Sequence, residues 1–237
     1  VIFLTEFARE KVKEVSGELK ASSHVIPHGI DNTFFKEPAK QYNIRSYSPD
    51  NPFKIINVSL FQPYKHQWNL ALAVINLRNE GIPLECNFIG GGHKKSVERL
   101  LRVIERYDKN RKFLKYHGSI PYKSLPYFYE ESHLMAYTSS VETFGQTLLE
   151  GMAAGLPVAC SEMSCMPEIL GDSGLYFDPQ DVSSIENCLK RYIMDEDLRS
   201  EKAYLSHKKA KIYSWDTAVR RTMDVLVDVV KSENNHV

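Results

Sequence analysis

The chain has 237 residues, with 30 Lys and Arg against 30 Asp and Glu, 43% hydrophobic residues and 25% charged ones. Zero net charge excludes the broad basic surface of a nucleic-acid binder, and the length is enough for the chain to bury its own core. Four cysteines, with no Cys-x-x-Cys pair or Cys/His cluster among them, exclude a zinc module and a disulfide framework; they read as reduced packing residues of a cytoplasmic protein. Apolar runs such as Leu156 to Cys160 fall far short of the roughly 20 residues that cross a bilayer. The opening Val1-Ile2-Phe3-Leu4 lacks the charged start of a signal peptide, so the chain reads as one cut in mid-fold.

In chain order, short runs rich in β-branched and aromatic residues predict strands at Val1–Leu4, His24–Ile26, Lys54–Ser59, Leu84–Ile89, Phe113–His117, Leu134–Tyr137, Pro157–Cys160 and Gly174–Phe177. Amphipathic spacing predicts helices over Glu6–Leu19, Gln67–Asn79, Lys94–Tyr107, Lys123–Glu131, Gln146–Ala154, Val182–Met194 and from Trp215 to about Lys231. In the last of these, Ala218, Thr222, Val225, Leu226 and Val229 form a face that has to bury against something. Glu37 to Pro52 lacks any apolar period and reads as a surface excursion. Strand and helix alternating in this way predict an α/β fold, a Rossmann-like doubly wound parallel sheet.

Such sheets bind ligands beyond the C-terminal strand ends. Three polar loops therefore share one rim: Leu60 to Lys65, Gly90-Gly91-Gly92-His93, and Thr138 to Gly145. The triple glycine matches neither the dinucleotide fingerprint nor the P-loop, and reads equally as a tight turn or a ligand-facing one. The segment from Glu142 to Pro157 is richer. A helix starts near Gly145, where glycine lets an anion approach free N–H groups and the dipole favours negative charge, and it stops at Gly155 and Pro157. Glu142 and Glu150 are separated by about 12 Å of helical rise, too far to share one ligand atom but able to hold two ends of a nucleotide sugar. On spacing alone a helix cap and a surface charge explain the two carboxylates equally well.

The motifs resemble those of the retaining GT-B nucleotide-sugar glycosyltransferases of glycosyltransferase family 4, and match only the C-terminal, donor-binding half. Val25-Ile26-Pro27-His28-Gly29-Ile30-Asp31 resembles the interdomain crossover, Phe61-Gln62-Pro63-Tyr64-Lys65 the phosphate-lysine loop, and Ile89-Gly90-Gly91-Gly92 the glycine turn. Tyr116-His117-Gly118-Ser119-Ile120 is similar to the base-binding loop, Glu142 to Pro157 to the paired-glutamate signature, and Pro167-Glu168-Ile169 with Gly171 to Gly174 to the segment after it.

The resemblance implies that Glu142 binds the transferred sugar and Lys65 the diphosphate, the two catalytic groups. It implies donor-binding roles for Glu150 at the ribose, for Phe144, Gly145, Gln146 and Thr147 at sugar and phosphate, and for Gly118 and Ser119 at the base, with Gly91 in the glycine turn. No metal and no cofactor is expected, because Lys65 and the helix start would take the negative charge of the departing diphosphate. The chain departs from the family pattern in three places: Ser59-Leu60 stands where Gly-Arg is common, His66 where Gly often follows the lysine, and His28 where Asn often precedes the crossover glycine. Lys94, Lys95 and His93 are the nearby candidates to replace the arginine.

The organisation implied is a remnant of an N-terminal acceptor domain over 1–20, a donor-binding domain over 21–214, and a helix over 215–237 that crosses back. The expected partners are a UDP- or GDP-hexose donor and a saccharide or lipid-linked acceptor held by the absent half, for surface polysaccharide or glycoconjugate synthesis, with little or no transfer by this piece alone. The location expected is cytoplasmic, with any peripheral contact at the inner membrane face made through that half. A non-catalytic nucleotide-sugar module and a nucleotide-sugar epimerase are the alternatives.

Overall fold

The computed structural model describes residues 1–19 and 21–234, with side chains described through residue 231. Lys20 and residues 235–237, which close two of the expected units, lie outside the described residues. The elements are β1 (Ile2–Phe3), α1 (Glu6–Ser16), β2 (His24–Val25), β3 (Phe53–Val58), α2 (Gln67–Asn79), β4 (Leu84–Ile89), α3 (Lys94–Tyr107), β5 (Leu114–Gly118), α4 (Leu125–Glu130) and β6 (Leu134–Tyr137). They continue with α5 (Gln146–Ala153), β7 (Val158–Ser161), α6 (Met166–Leu170), β8 (Leu175–Phe177), α7 (Val182–Met194), α8 (Glu196–Ala210) and α9 (Trp215–Asn234).

Six strands form one parallel sheet in the order β5-β4-β3-β6-β7-β8, while β1 and β2 pair separately, Ile2 opposite His24. Within the large sheet the winding runs outward from β3 to β5 and then reverses from β6 to β8. The crevice between β3 and β6 is therefore the switch point at which doubly wound sheets bind ligands. Helices cover both faces, which is why strands such as Phe53–Val58 read as unbroken apolar runs rather than alternating ones. Phe53, Ile55 and Phe88 point into one core with α2, α3 and α7; Ile56, Val58, Met135 and Tyr137 point into the other with α5 and α6.

Several expectations need correcting. The strand expected at Phe113–His117 is shifted one residue, to Leu114–Gly118, and α1 stops at Ser16, where Gly17 caps it by donating to the Lys13 carbonyl. The 196–210 helix, α8, is absent from the sequence reading because its buried face is Arg199, Ala203, Ser206, His207 and Ala210, which carries almost no apolar period. Glu37 to Pro52 does run over the surface, with none of its residues buried, but Arg199 ties it down. Fully buried, its guanidinium donates to the carbonyls of Tyr192, Ile193 and Tyr42 and to Gln41 Oε1, which pins that segment to the α7–α8 junction. On α9, Ala218 is buried and Thr222 and Val225 are half-buried, but Leu226 and Val229 are exposed, so the packed face covers only the first half of the helix.

The four cysteines are all buried and unpaired. Among the described residues no helix is long and apolar enough to cross a membrane.

Candidate functional site

The parallel register brings the three polar loops to one rim, and hydrogen bonds lace them together. The β3 loop meets the glycine turn through a parallel bridge between Phe61 and Gly92, with Phe61 N–H donating to the Gly91 carbonyl at 2.9 Å. Gly90 has φ 129°, and a Cβ there would overlap the Ser59 carbonyl. The turn is thus tight because backbone of β3 passes against it. Gly91 faces the next loop: a Cβ on it would sit 2.5 Å from Ser119 Oγ, which places Gly91, Gly118 and Ser119 at one end of the rim.

At the switch point itself, the β3 and β6 loops are joined by Ser140 N–H donating to the Tyr64 carbonyl (2.8 Å) and Thr138 Oγ1 donating to the Lys65 carbonyl (2.6 Å). His66 occupies a left-handed conformation, φ 49°, which accounts physically for the glycine usual at that place. Here His66 is held by Ser140 Oγ, 3.0 Å from its Nε2, and packs edge-on against Trp68. Burial pushes the pKa of the His66 imidazole down, with Arg99 adding to the effect.

Lys65, only 7% exposed, forms an ion pair with Glu142 Oε1, and its ammonium also lies 5.4 Å from the Tyr137 ring centre. Tyr137 Oη donates to the same Glu142 oxygen at 2.5 Å. The Glu142 backbone is fixed as well, since Ser164 Oγ accepts from its N–H (3.0 Å) and donates to its carbonyl (2.6 Å). Next to it, Thr5 Oγ1 donates to the Thr143 carbonyl at 2.9 Å. A largely apolar groove of about 610 Å³ runs from Glu142 along Phe7, Val12 and Val15 of α1.

Glu142 therefore does not cap the helix; Gly145 does, at φ 84° and without any side-chain cap. The start of α2 after His66 is likewise uncapped by a side chain. Two helix N-termini with free N–H groups and one buried lysine converge on the switch point, an arrangement suited to an anion. The Phe144 ring is taken up in packing, edge-on to His28 (5.4 Å) and Tyr213 (5.9 Å), while Gln146 Nε2 donates to the Gly29 carbonyl. His28 lies between Phe144 and Trp215 as a packing residue. Thr147 lends its carbonyl to Tyr129 Oη at 3.3 Å.

Glu150, one turn beyond Gln146, is not a surface charge. It is 2% exposed, and Tyr129 Oη (3.1 Å) and Tyr122 Oη (3.3 Å) donate to its two oxygens. Burial raises its pKa from 4.5 to about 7, partly offset by these two hydrogen bonds. A carboxyl that the fold keeps protonated stabilises the protein below the unfolded pKa, and that contribution is lost as pH rises through the folded value. The shift corresponds to about 3 kcal/mol. Urea unfolding of wild type and Glu150→Gln between about pH 4.5 and pH 8 is expected to show wild type losing that much relative to the variant. Parallel pH curves for the two proteins would contradict it.

Sequence reasoning missed Tyr122, Tyr129, Tyr137, Ser164 and the buried Asn57, whose Nδ2 donates to the Ala136 carbonyl at 2.7 Å and joins β3 to β6. Asn57 was the findable one, a polar residue inside an apolar strand run. The replacement cations expected for the missing arginine are exposed: Lys94 pairs with Glu98 at 3.9 Å, and Leu60 stands 65% exposed where the arginine is common. Among the described residues no group of three His, Cys, Asp or Glu is placed to hold a metal ion.

The family model for glycosyl transferases group 1 matches residues 40–208, most of the chain and every loop of this rim. The chain belongs to the group 1 glycosyl transferases. A relative, the O-antigen chain mannosyltransferase B of Escherichia coli, is 33% identical over 53% of this chain and 32% of its own length. The serotype-specific mannosyltransferase WbdA of the same organism is 25% identical over 98% of this chain and 28% of its own. The chain thus spans about a third of the curated relatives it matches. Among solved structures, Anabaena HepE in complex with UDP and glucose superposes with a TM-score of 0.81 at 20% identity, over 96% of this chain and 62% of that one. Sucrose-phosphate synthase of Thermosynechococcus elongatus gives 0.80 at 19%, over 98% and 58%. At such identities the likeness is one of fold, that of the C-terminal half of GT-B glycosyltransferases.

Proposed function

We propose that this chain is the donor-binding half of a retaining, family 4 type glycosyltransferase that takes a hexose from UDP or GDP to a saccharide or lipid-linked acceptor in surface polysaccharide or glycoconjugate synthesis. The observation that carries the reading is the convergence of buried Lys65 and Glu142 with the uncapped starts of α2 and α5 at the sheet's switch point. The names of the mannosyltransferase relatives support a hexose, and the UDP bound to HepE supports a nucleoside diphosphate leaving group.

In this reading the diphosphate lies over the α5 start, against the N–H groups of Gly145, Gln146 and Thr147 and the Lys65 ammonium. As the bond from the sugar to the diphosphate breaks, negative charge grows on the departing phosphate, and these fixed dipoles and one cation stabilise it without an enzyme nucleophile. Glu142, held by Tyr137 and Ser164, accepts hydroxyls of the transferred sugar, and Glu150 those of the ribose. The base lies towards Gly118, Ser119 and Gly91. The scheme uses no metal. The acceptor and the groups that orient it come from outside residues 1–237, so the chain by itself is expected to bind donor and transfer poorly.

Calorimetric titration with UDP and with GDP tests the reading and names the base. One of them is expected to bind, with affinity falling about tenfold or more in Glu150→Ala, since a ribose hydroxyl bonded to a carboxylate is worth about 1.5–3 kcal/mol. Equal affinity in wild type and Glu150→Ala would remove Glu150 from the ribose site.

A further inference from the structure

A carboxylate that is 2% exposed cannot touch a ligand as it stands. Something over Glu150 has to move, and the two side chains bonded to it differ sharply in their freedom to do so. Tyr129 is fully buried, in the core with Leu148, Leu149 and Met152, and edge-on to the equally buried Phe34. Tyr122 is 53% exposed and sits on a single 3-10 turn, Tyr122–Ser124, that follows the Gly118-Ser119 loop. One side of its ring rests on Phe34, with centroids 5.3 Å apart, and its hydroxyl reaches Glu150 Oε1 at 3.3 Å. That bond is long for a phenol donating to a carboxylate, whereas Tyr129 approaches more closely.

We propose that Tyr122 is a displaceable cover of the donor site: in the empty site its phenol occupies the place on Glu150 that a nucleotide's ribose hydroxyls take, and it swings out as the donor binds. The proposal rests on the reading of Glu150 as the ribose-binding carboxylate. It follows from the geometry that a ligand with ribose hydroxyls replaces the Tyr122 bond with its own. A ligand lacking them has nothing to put in place of that bond, and because uncovering Glu150 would leave a buried acceptor without a donor, which is costly, Tyr122 stays on Glu150 when such a ligand binds. Burial, with the acidic Glu150 and Asp31 adding to it, raises the pKa of the phenol to about 12, so it stays a neutral donor throughout the working range.

The test is calorimetric titration of wild type, Tyr122→Phe and Glu150→Ala with UDP, GDP and their 2′,3′-dideoxy analogues. Removing the competing hydroxyl is expected to tighten binding of the ribonucleotide by about three- to tenfold in Tyr122→Phe, and to leave the dideoxy form within about twofold of wild type. Binding of the ribonucleotide by Tyr122→Phe that equals or falls below wild type, while Glu150→Ala loses affinity, overturns the cover and leaves the ribose reading standing. Ribonucleotide affinity unaltered in Glu150→Ala overturns the ribose reading and the cover with it, as does absence of binding to all three proteins. Tyr122→Phe keeps the ring on Phe34, so a folding defect does not enter the comparison.

Discussion

Replacing Lys65 with alanine is expected to weaken binding of the nucleoside diphosphate by about 10- to 100-fold, the loss of one charge-assisted hydrogen bond to phosphate. In the empty site the ammonium is paired with Glu142, so its removal also leaves a half-buried carboxylate whose remaining side-chain donor is Tyr137. Stripping one partner from a buried pair costs about 3–5 kcal/mol, and the partial exposure of Glu142 reduces this to about 2 kcal/mol here. The two effects separate in the double variant Lys65→Ala/Glu142→Gln, where the amide carries no uncompensated charge. Stability is expected to return towards wild type while affinity stays low. Uridine or guanosine, which have no phosphate, should bind wild type and Lys65→Ala alike. If diphosphate affinity recovers together with stability in the double variant, Lys65 acts through folding and not through phosphate.

Gly90→Ala is expected to cost about 4 kcal/mol, enough to unfold a marginal domain. Its φ of 129° lies where a side chain is strained by about 1–3 kcal/mol, and overpacking adds a similar amount. The atoms in the way belong to backbone, the Ser59 carbonyl, whose carbon would lie 2.9 Å from the new Cβ. Relief requires the end of β3 to part from the end of β4, where Ser59 N–H donates to the Ile89 carbonyl at 3.0 Å. Because Lys65 follows on the same loop, surviving folded protein should also lose nucleotide affinity. Urea midpoints of Gly90→Ala and Gly91→Ala make the comparison: Gly91 has no such φ and faces only the movable Ser119 side chain, so its variant is expected to stay close to wild type. Equal midpoints would show that the turn yields more easily than its geometry implies.

The order of strands and helices was readable along the chain because each buried strand is a continuous apolar run and most helices have a 3.6-residue apolar face. The doubly wound class and the three rim loops follow from that alternation, spacing singled out Glu142 and Glu150, and the motif resemblance added Lys65 and the roles expected of all three. Helix α8 was not readable, because it is held by what Arg199 and Ser206 bond to and not by an apolar period; Ser206 Oγ donates to the Leu156 carbonyl fifty residues away. The same holds for the anchoring of Glu37 to Pro52. At the site, spacing along one helix placed the two glutamates apart but was silent on their environments. Only the tertiary structure decided that Glu142 faces Lys65 across the switch point and that Glu150 is buried under Tyr122 and Tyr129. Those contacts join residues 77, 28 and 21 positions apart. The physical reason is that apolar period is a local property, which fixes elements, whereas the partner of a polar group is set by where the sheet brings distant loops together.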